Sequence, residues 1–391
     1  MMIHMADVRP FRGVRYSSFS LNAALCPPYD VIGSELAAAL RRRKTNAVFL
    51  ELPQGEPPEK YARAAAQWRK WTVNGTLARD PNPAYYAIEE RYKLNGKSYT
   101  RRGILAALGA TPKAARSIIP HERTLAKPKV DRLKMLDAVG VNISPIFGVF
   151  ADPSGAARRA IAAGMRGRPD AVGRSHAGVD YRLWAVDDSK KIAAIRKALA
   201  PRSILIADGH HRYSVSRDHH AKAKAPGTDA VLTYLVPDED RGLVVLPTHR
   251  IVRISLRKRA AGLASIKKVL TLSALQALVE KSKNPYAFGL IENGFYFGEP
   301  KPNGCKSGLA VEWLGNQLLA GIRPDEMSYT PDATLAVKKA KAVGGAAVLV
   351  KDFSVAQVRR AAQAVGLLPQ KSTYFFPKIA TGLAFRPLDA E

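Results

Sequence analysis

The sequence has little cysteine and comparatively little acid. Its two cysteines, Cys26 and Cys305, lie far apart in 391 residues. That is too few for a disulfide framework, and there is no C-x-x-C spacing for a thiolate zinc site or a thioredoxin-like redox pair. One bridge is open to such a chain, but a reduced pair in a cytosolic protein is the simpler reading. No apolar run reaches the length of about 18 residues that a membrane-spanning helix needs. The opening Met1-Met2-Ile3-His4-Met5-Ala6-Asp7 lacks the apolar stretch of a secretory signal. A cytoplasmic protein with no membrane partner is therefore expected. The sequence also lacks G-x-S-x-G, H-E-x-x-H and G-x-G-x-x-G, and with them the common hydrolase, zincin and dinucleotide signatures. No repeat or low-complexity linker is present.

What is there is a folding composition with a strong basic bias. Apolar residues make up 47% and charged residues 24%, as in ordinary globular domains. Asp and Glu number 33 against 61 Lys and Arg, a formal net charge of +28. Such a surface favours polyanionic partners: nucleic acid, acidic membrane or phosphorylated ligands. The basic residues are spread over many short clusters, among them Arg41-Arg42-Arg43-Lys44 and Arg257-Lys258-Arg259. A basic solvated surface with no particular partner is the plainer alternative.

Strand and helix signals alternate, which predicts a mixed α/β protein. An amphipathic helix is expected after Pro57-Pro58, with Tyr61, Ala64, Ala65, Trp68 and Trp71 on one face. Asn95-Gly96 between two β-type runs predicts a hairpin. It overrides the passing likeness of Gly96-Lys97-Ser98 to a Walker A end, whose first glycine would fall on Arg91. Helices are expected over 129–138, 156–165, 189–200, 265–281 and 355–365. Strands are expected over 146–150, 181–186, 203–207 and 346–350, with a hairpin at Glu292-Asn293-Gly294 and a strand-rich end over 373–385. The divisions are placed near residues 115 and 255, giving regions 1–115, 116–255 and 256–391.

The strongest site candidate is Asp208-Gly209-His210-His211-Arg212. A buried strand there delivers a carboxylate, a glycine, two imidazoles and a guanidinium onto a turn that opens a helix. Glycine lets the backbone bend or approach a ligand closely, and a helix N-terminus attracts anions. Arg212 suits phosphate, while Asp208 suits magnesium or a substrate hydroxyl. His219-His220 has the wrong spacing for helical metal ligands and reads as a solvated helix end.

Pro120-His121-Glu122-Arg123 is the second candidate. His121 and Glu122 can accept a proton from a hydroxyl, and Lys127, Lys129 and Arg132 can neutralise phosphate; an ordinary helix-capping loop is the alternative. Lys371-Ser372-Thr373 could grip phosphate through an ammonium and hydroxyls. Like Cys26-Pro27-Pro28-Tyr29-Asp30-Val31, it reads first as a packed loop.

Arg9-Pro10-Phe11-Arg12-Gly13, Pro27-Pro28-Tyr29-Asp30-Val31-Ile32, Pro120-His121-Glu122, Asn142-Ile143-Ser144-Pro145-Ile146-Phe147, the segment from Ala207 to Tyr213, and Lys371-Ser372-Thr373-Tyr374-Phe375-Phe376-Pro377-Lys378 occur in this order. Together they resemble the bacterial and archaeal family catalogued as domain of unknown function one-thousand-fifteen. Its Asp-Gly-His-His-Arg segment is in turn similar to the phosphate-binding signature of the ParB/sulfiredoxin-like fold. That fold includes CTP-hydrolysing ParB proteins, ATP-using sulfiredoxin and free-serine kinases. The kinases carry Asp-Gly-His-Thr-Arg here, so His211 stands for the threonine; the sulfiredoxin cysteine has no counterpart.

The resemblance implies a ParB/sulfiredoxin-like core over 116–255, with further α/β regions on either side. It implies a kinase that uses ATP or ADP and magnesium to phosphorylate free L-serine or a similar hydroxyl compound. Glu122 would be the acceptor, assisted by His121. Asp208 would hold the metal, and Gly209, His210, His211, Arg212, Lys127, Lys129, Lys371, Ser372 and Thr373 would hold the phosphates. The alternatives are a ParB-like, nucleotide-responsive nucleic-acid-binding protein, for which no helix-turn-helix region is evident, and a non-catalytic structural protein.

Overall fold

The computed structural model describes residues 5–124, 126–301 and 303–389. Contacts divide the chain into two units. The first comprises the chain up to Ile119, Thr124–Leu243 and everything from Pro377 onward; the second is Pro120–Arg123 with Val244–Phe376. These divisions stand beside the expected ones near 115 and 255. The return of the last residues to the first unit is something a linear division cannot express.

The first unit is built on a nine-stranded mixed sheet. Its strands are β1 (Val8–Arg9), β2 (Tyr85–Leu94), β3 (Lys97–Gly109), β4 (Ile118–Ile119), β5 (Ile146–Phe150), β6 (Ala171–Arg174), β7 (Asp180–Val186), β8 (Ile204–Asp208) and β9 (Ala230–Pro237). The order is β4-β8-β5-β9-β3-β2-β7-β6, with β1 paired to β3. The β4/β8 and β5/β9 pairs are parallel; the other neighbours are antiparallel. The helices are α1 (Ser34–Arg41), α2 (Val48–Glu51), α3 (Glu59–Val73), α4 (Ala126–Val139), α5 (Ala156–Gly164), α6 (Ser189–Leu199) and α7 (His210–Ala223).

One sheet face presents Tyr85, Ile104, Ile146, Ile204, Ile206 and Leu235 to a core that takes in Ile161 of α5 and Ile195 and Leu199 of α6. The other face carries a fully buried ion pair. Arg101 donates from Nε to Glu90 Oε2 at 2.6 Å and from a terminal nitrogen to Oε1 at 2.7 Å. Tyr234 donates to the same carboxylate at 2.7 Å. Arg101 also donates to the Pro377 carbonyl at 2.7 Å, which ties the returning C-terminal segment to the sheet. A buried guanidinium tolerates such a place only when its donors are used.

The second unit has a six-stranded antiparallel sheet of β10 (His249–Val252), β11 (Ala264–Val269), β12 (Phe288–Ile291), β13 (Phe295–Pro300), β14 (Met327–Thr330) and β15 (Ala346–Leu349), ordered β11-β13-β12-β15-β10-β14. Alternation along its strands sends Leu290 and Val348 to a cluster with Trp313, and Ile291 and Ala347 to one with Leu275 and Ala336. Its helices are α8 (Arg257–Leu263), α9 (Leu272–Lys281), α10 (Ala310–Trp313), α11 (Ala333–Ala342) and α12 (Val355–Val365). With twelve α-helices and two main sheets among the described residues, the protein is mixed α/β, as its signals indicate. Among the described residues, no helix is long and apolar enough to cross a membrane.

The hairpin at Asn95-Gly96 forms with φ of 49° and 76°, the left-handed pair that its tight turn needs. Helix α3 buries Tyr61, Ala64, Ala65 and Trp71 as its periodicity predicts. Three expectations are corrected. Residues 265–281 are not one helix: the first part is strand β11, paired to β13, and α9 starts only where Thr271 accepts from the Ala274 N–H. The 373–385 stretch is mostly irregular. It has a strand at Tyr374–Phe376 and single bridges at Thr381 and Phe385, because Pro377 and Gly382 interrupt pairing. His219 and His220 are half-buried and partnered, to Asp137 at 3.4 Å and Thr228 at 2.9 Å.

Candidate functional site

The apolar run Ile204-Leu205-Ile206-Ala207 is fully interior, as β8. Gly209 follows with φ of 91°, and α7 begins at His210. A Cβ on Gly209 would stand 2.8 Å from Ile146 and 3.1 Å from Arg212, so both the conformation and the space call for glycine. Gly209 also offers no capping side chain to α7.

Asp208, at the end of β8, is held by two cations. Arg212, one helical turn on, donates to Oδ2 at 2.7 Å. Lys378 donates to Oδ1 at 2.8 Å and to Asp30 at 2.7 Å. Arg212 also donates to the Pro145 carbonyl. Burial would lower the Lys378 pKa, but Asp208 and Asp30 more than offset it and hold the ammonium above the usual lysine range. Arg212 is held up in the same way, against its burial, chiefly by Asp208. The result is a chain of alternating charge, Asp30–Lys378–Asp208–Arg212, whose cations are nearly buried and whose carboxylates are about one-fifth exposed.

Around it, Glu51 at the end of α2 accepts from the Tyr29 N–H at 2.9 Å and the Ser144 hydroxyl at 3.1 Å. The Arg132 guanidinium lies 4.2 Å over the Tyr29 ring and bonds Asp131. Although burial opposes it, Lys60 and Arg132 hold the Asp131 carboxyl down to about 2. Glu51, Arg132, Asn142, Ser144, Arg212 and Ser216 supply the polar lining of a small cavity of about 50 Å³.

Asp208, Gly209, His210, His211 and Arg212 thus share one strand–turn–helix in the first unit. Lys129 is half-buried on α4 of the same unit; the Lys127 side chain lies outside the described residues. Sequence reasoning did not single out Asp30, Glu51 or Lys378 as site residues. Asp30 and Lys378 lie in segments that read first as packed loops, and only the fold brings their side chains to the Asp208 turn.

The second unit holds the remaining candidates. His121 Nε2 is 3.0 Å from the Thr373 hydroxyl, and the Lys371 N–H donates to Glu122. Ser372 donates to the Pro369 carbonyl at 2.6 Å. The two segments are joined by the Glu122–Leu368 bridge. Arg250, fully interior, donates to the Thr248 and Lys371 carbonyls, and burial lowers its pKa to about 10. His121 thus pairs with Thr373, and the next residue, Glu122, is linked through the Lys371 backbone to Arg250, while Ser372 braces the loop.

Residues 8–318 match the family described as Protein of unknown function (DUF1015). The chain belongs to this family. As a DUF1015 protein, it is similar to several solved structures. A conserved hypothetical protein from Pyrococcus furiosus shares 14% identity over 71% of this chain and 92% of its own, with a TM-score of 0.37. A free serine kinase in complex with AMP shares 13% over 70% and 86%, with a TM-score of 0.40. SbnI from Staphylococcus aureus, with a C-terminal truncation, shares 9% over 71% and 85%, with a TM-score of 0.35. Likenesses this weak carry neither fold nor activity to this chain. No curated protein matches it.

Proposed function

We propose that this DUF1015 protein is a nucleotide-dependent phosphotransferase acting on a small hydroxyl compound such as free L-serine. The observation that carries this reading is the turn at Asp208. There a buried strand ends in a carboxylate clamped by Arg212 and Lys378, and a left-handed glycine opens α7 without a side-chain cap. A helix start beside two persistent cations suits the phosphates of ATP or ADP. Phosphoryl transfer asks mainly for positioning and charge neutralisation, and these residues can supply both.

Asp208 and Asp30 are carboxylates of the kind that hold magnesium together with substrate phosphates. Both are about one-fifth exposed at the turn, and magnesium bound by them would neutralise phosphate charge. In the second unit, Glu122 is the proposed acceptor for the hydroxyl proton, with His121 beside it. The test is ATP- or ADP-dependent phosphorylation of free amino acids by the purified protein, with Arg212→Ala as the binding-deficient control. No turnover with any hydroxyl amino acid, together with no nucleotide binding, defeats the reading. A ParB-like nucleic-acid role, favoured by the charge of +28, would instead appear as salt-dependent DNA binding tuned by nucleotide.

A further inference from the structure

Strands β5 and β9 are parallel neighbours, with Phe150 paired to Pro237 where both end. Because β8 runs antiparallel to β5 and pairs Asp208 with Phe147, the Asp208 turn lies towards the opposite end of the sheet. At the carboxyl ends of β5 and β9 there is a separate cavity of about 310 Å³. Crevices at the carboxyl ends of parallel strands are recurrent ligand sites. Arg102, Arg158 and Arg159 line it, together with Asp240 and an apolar wall of Ile161, Ala162 and Pro237.

The arginines are exposed and only partly neutralised. Arg102 donates to Glu89 from Nε at 2.9 Å and from a terminal nitrogen at 2.8 Å, but Glu89 is shared with Arg91 at 2.8 Å and Arg182 at 3.9 Å. Arg158 faces Asp152 at 3.8 Å, and Asp152 is bound more closely by Arg202 at 3.1 Å. Arg159 donates to the Ser154 carbonyl. Gly155 lets the last two guanidiniums converge: a Cβ there would be 2.9 Å from Arg159 and 3.2 Å from Arg158. The first turn of α5 is already capped, since Asp152 accepts from the Ala157 and Arg158 amides. Attraction for an anion therefore comes from the guanidiniums and not from the helix end. Asp240 accepts from the Gly242 and Arg102 amides, so backbone donors already face its carboxylate.

We propose that this cavity is a second binding site, for a small organic phosphate. Its phosphate would lie on Arg102, Arg158 and Arg159, and a compact apolar or planar body would lie on Ile161, Ala162 and Pro237. The volume is at the lower end for small-ligand pockets, and its concavity favours a small molecule over the backbone of a duplex.

The probe is phenyl phosphate, with inorganic phosphate and a short DNA duplex for comparison. Each is titrated calorimetrically into the full-length protein, the Arg158→Ala/Arg159→Ala variant and the Arg212→Ala variant. Circular dichroism melts confirm that both variants fold. Phenyl phosphate should bind the wild-type protein more tightly than inorganic phosphate does. It should keep its affinity in Arg212→Ala and lose at least about tenfold in the double variant, the worth of one or more charge-assisted bonds. Equal binding to wild type and double variant overturns the proposal. So does the loss of all phenyl phosphate binding in Arg212→Ala, which would assign it to the Asp208 turn, and so does duplex binding that needs Arg158 and Arg159 without any for phenyl phosphate. Nucleotide binding at Arg212 is read separately, so neither site's failure masks the other's.

Discussion

Lys378 and Asp208 are joined at 2.8 Å across 170 residues of sequence, and the same ammonium reaches Asp30 at 2.7 Å. Without Lys378, two partly buried carboxylates would face each other with one cation fewer. Lys378→Met should therefore cost about 2–4 kcal/mol, somewhat below the loss seen when a fully buried pair is broken. Adding Asp30→Asn should restore part of it, since one unpaired charge is removed. Urea unfolding of the two single variants and the double variant measures this coupling; strictly additive effects would show that the three groups do not act together.

Arg212 uses one terminal nitrogen for Asp208 and the other for the Pro145 carbonyl. A lysine has the charge but not the fork to do both. Arg212→Lys should weaken ATP or ADP binding by about tenfold or more, because the Asp208 turn loses its fixed geometry. Calorimetric titration checks it. Unchanged affinity would remove Arg212 from the nucleotide site.

The Asp208 turn was legible in the sequence because strand, glycine and helix are consecutive there, and local patterning specifies local structure. The partners of Asp208 were not. Asp30 and Lys378 meet it only after the C-terminal segment returns to the first unit, anchored by Arg101 on the Pro377 carbonyl. No periodicity encodes that contact. Strand β11 was hidden for another reason: Ile266 and Lys267 suit either period, and the cap at Thr271 was the one local signal that separated strand from helix.

His249 supplies a pH test in the second unit. Its Nδ1 accepts from the Val350 N–H at 3.3 Å, and burial, followed by Arg250, lowers its pKa from 6.5 to about 4. The folded state thus favours the neutral ring, and the unfolded chain binds the proton first. The stabilisation is complete above pH 6.5 and is lost as pH falls towards 4. Between pH 7 and 5 the loss should be about 2 kcal/mol. His249→Asn, which keeps an acceptor and cannot be protonated, should abolish that part of the dependence in denaturant melts at the two pH values. If its slope matches the wild type, His249 is not the group responsible.

The last prediction separates chemistry from binding. Glu122 accepts from the Lys371 N–H, and the adjacent His121 pairs with Thr373. As the acceptor of a hydroxyl proton, it would matter in the transition state and little in nucleotide binding. Glu122→Gln keeps an oxygen for the Lys371 amide but removes the charge and the basicity. Turnover should fall about 10²–10⁴-fold, the usual worth of a positioned acid–base group. ATP or ADP affinity should stay within about twofold, because the backbone bond to Lys371 survives. Single-turnover kinetics and calorimetry on the same preparation make the comparison. If affinity and turnover fall together, Glu122 braces the Lys371 loop instead of handling a proton. If neither changes, the hydroxyl is oriented by another residue.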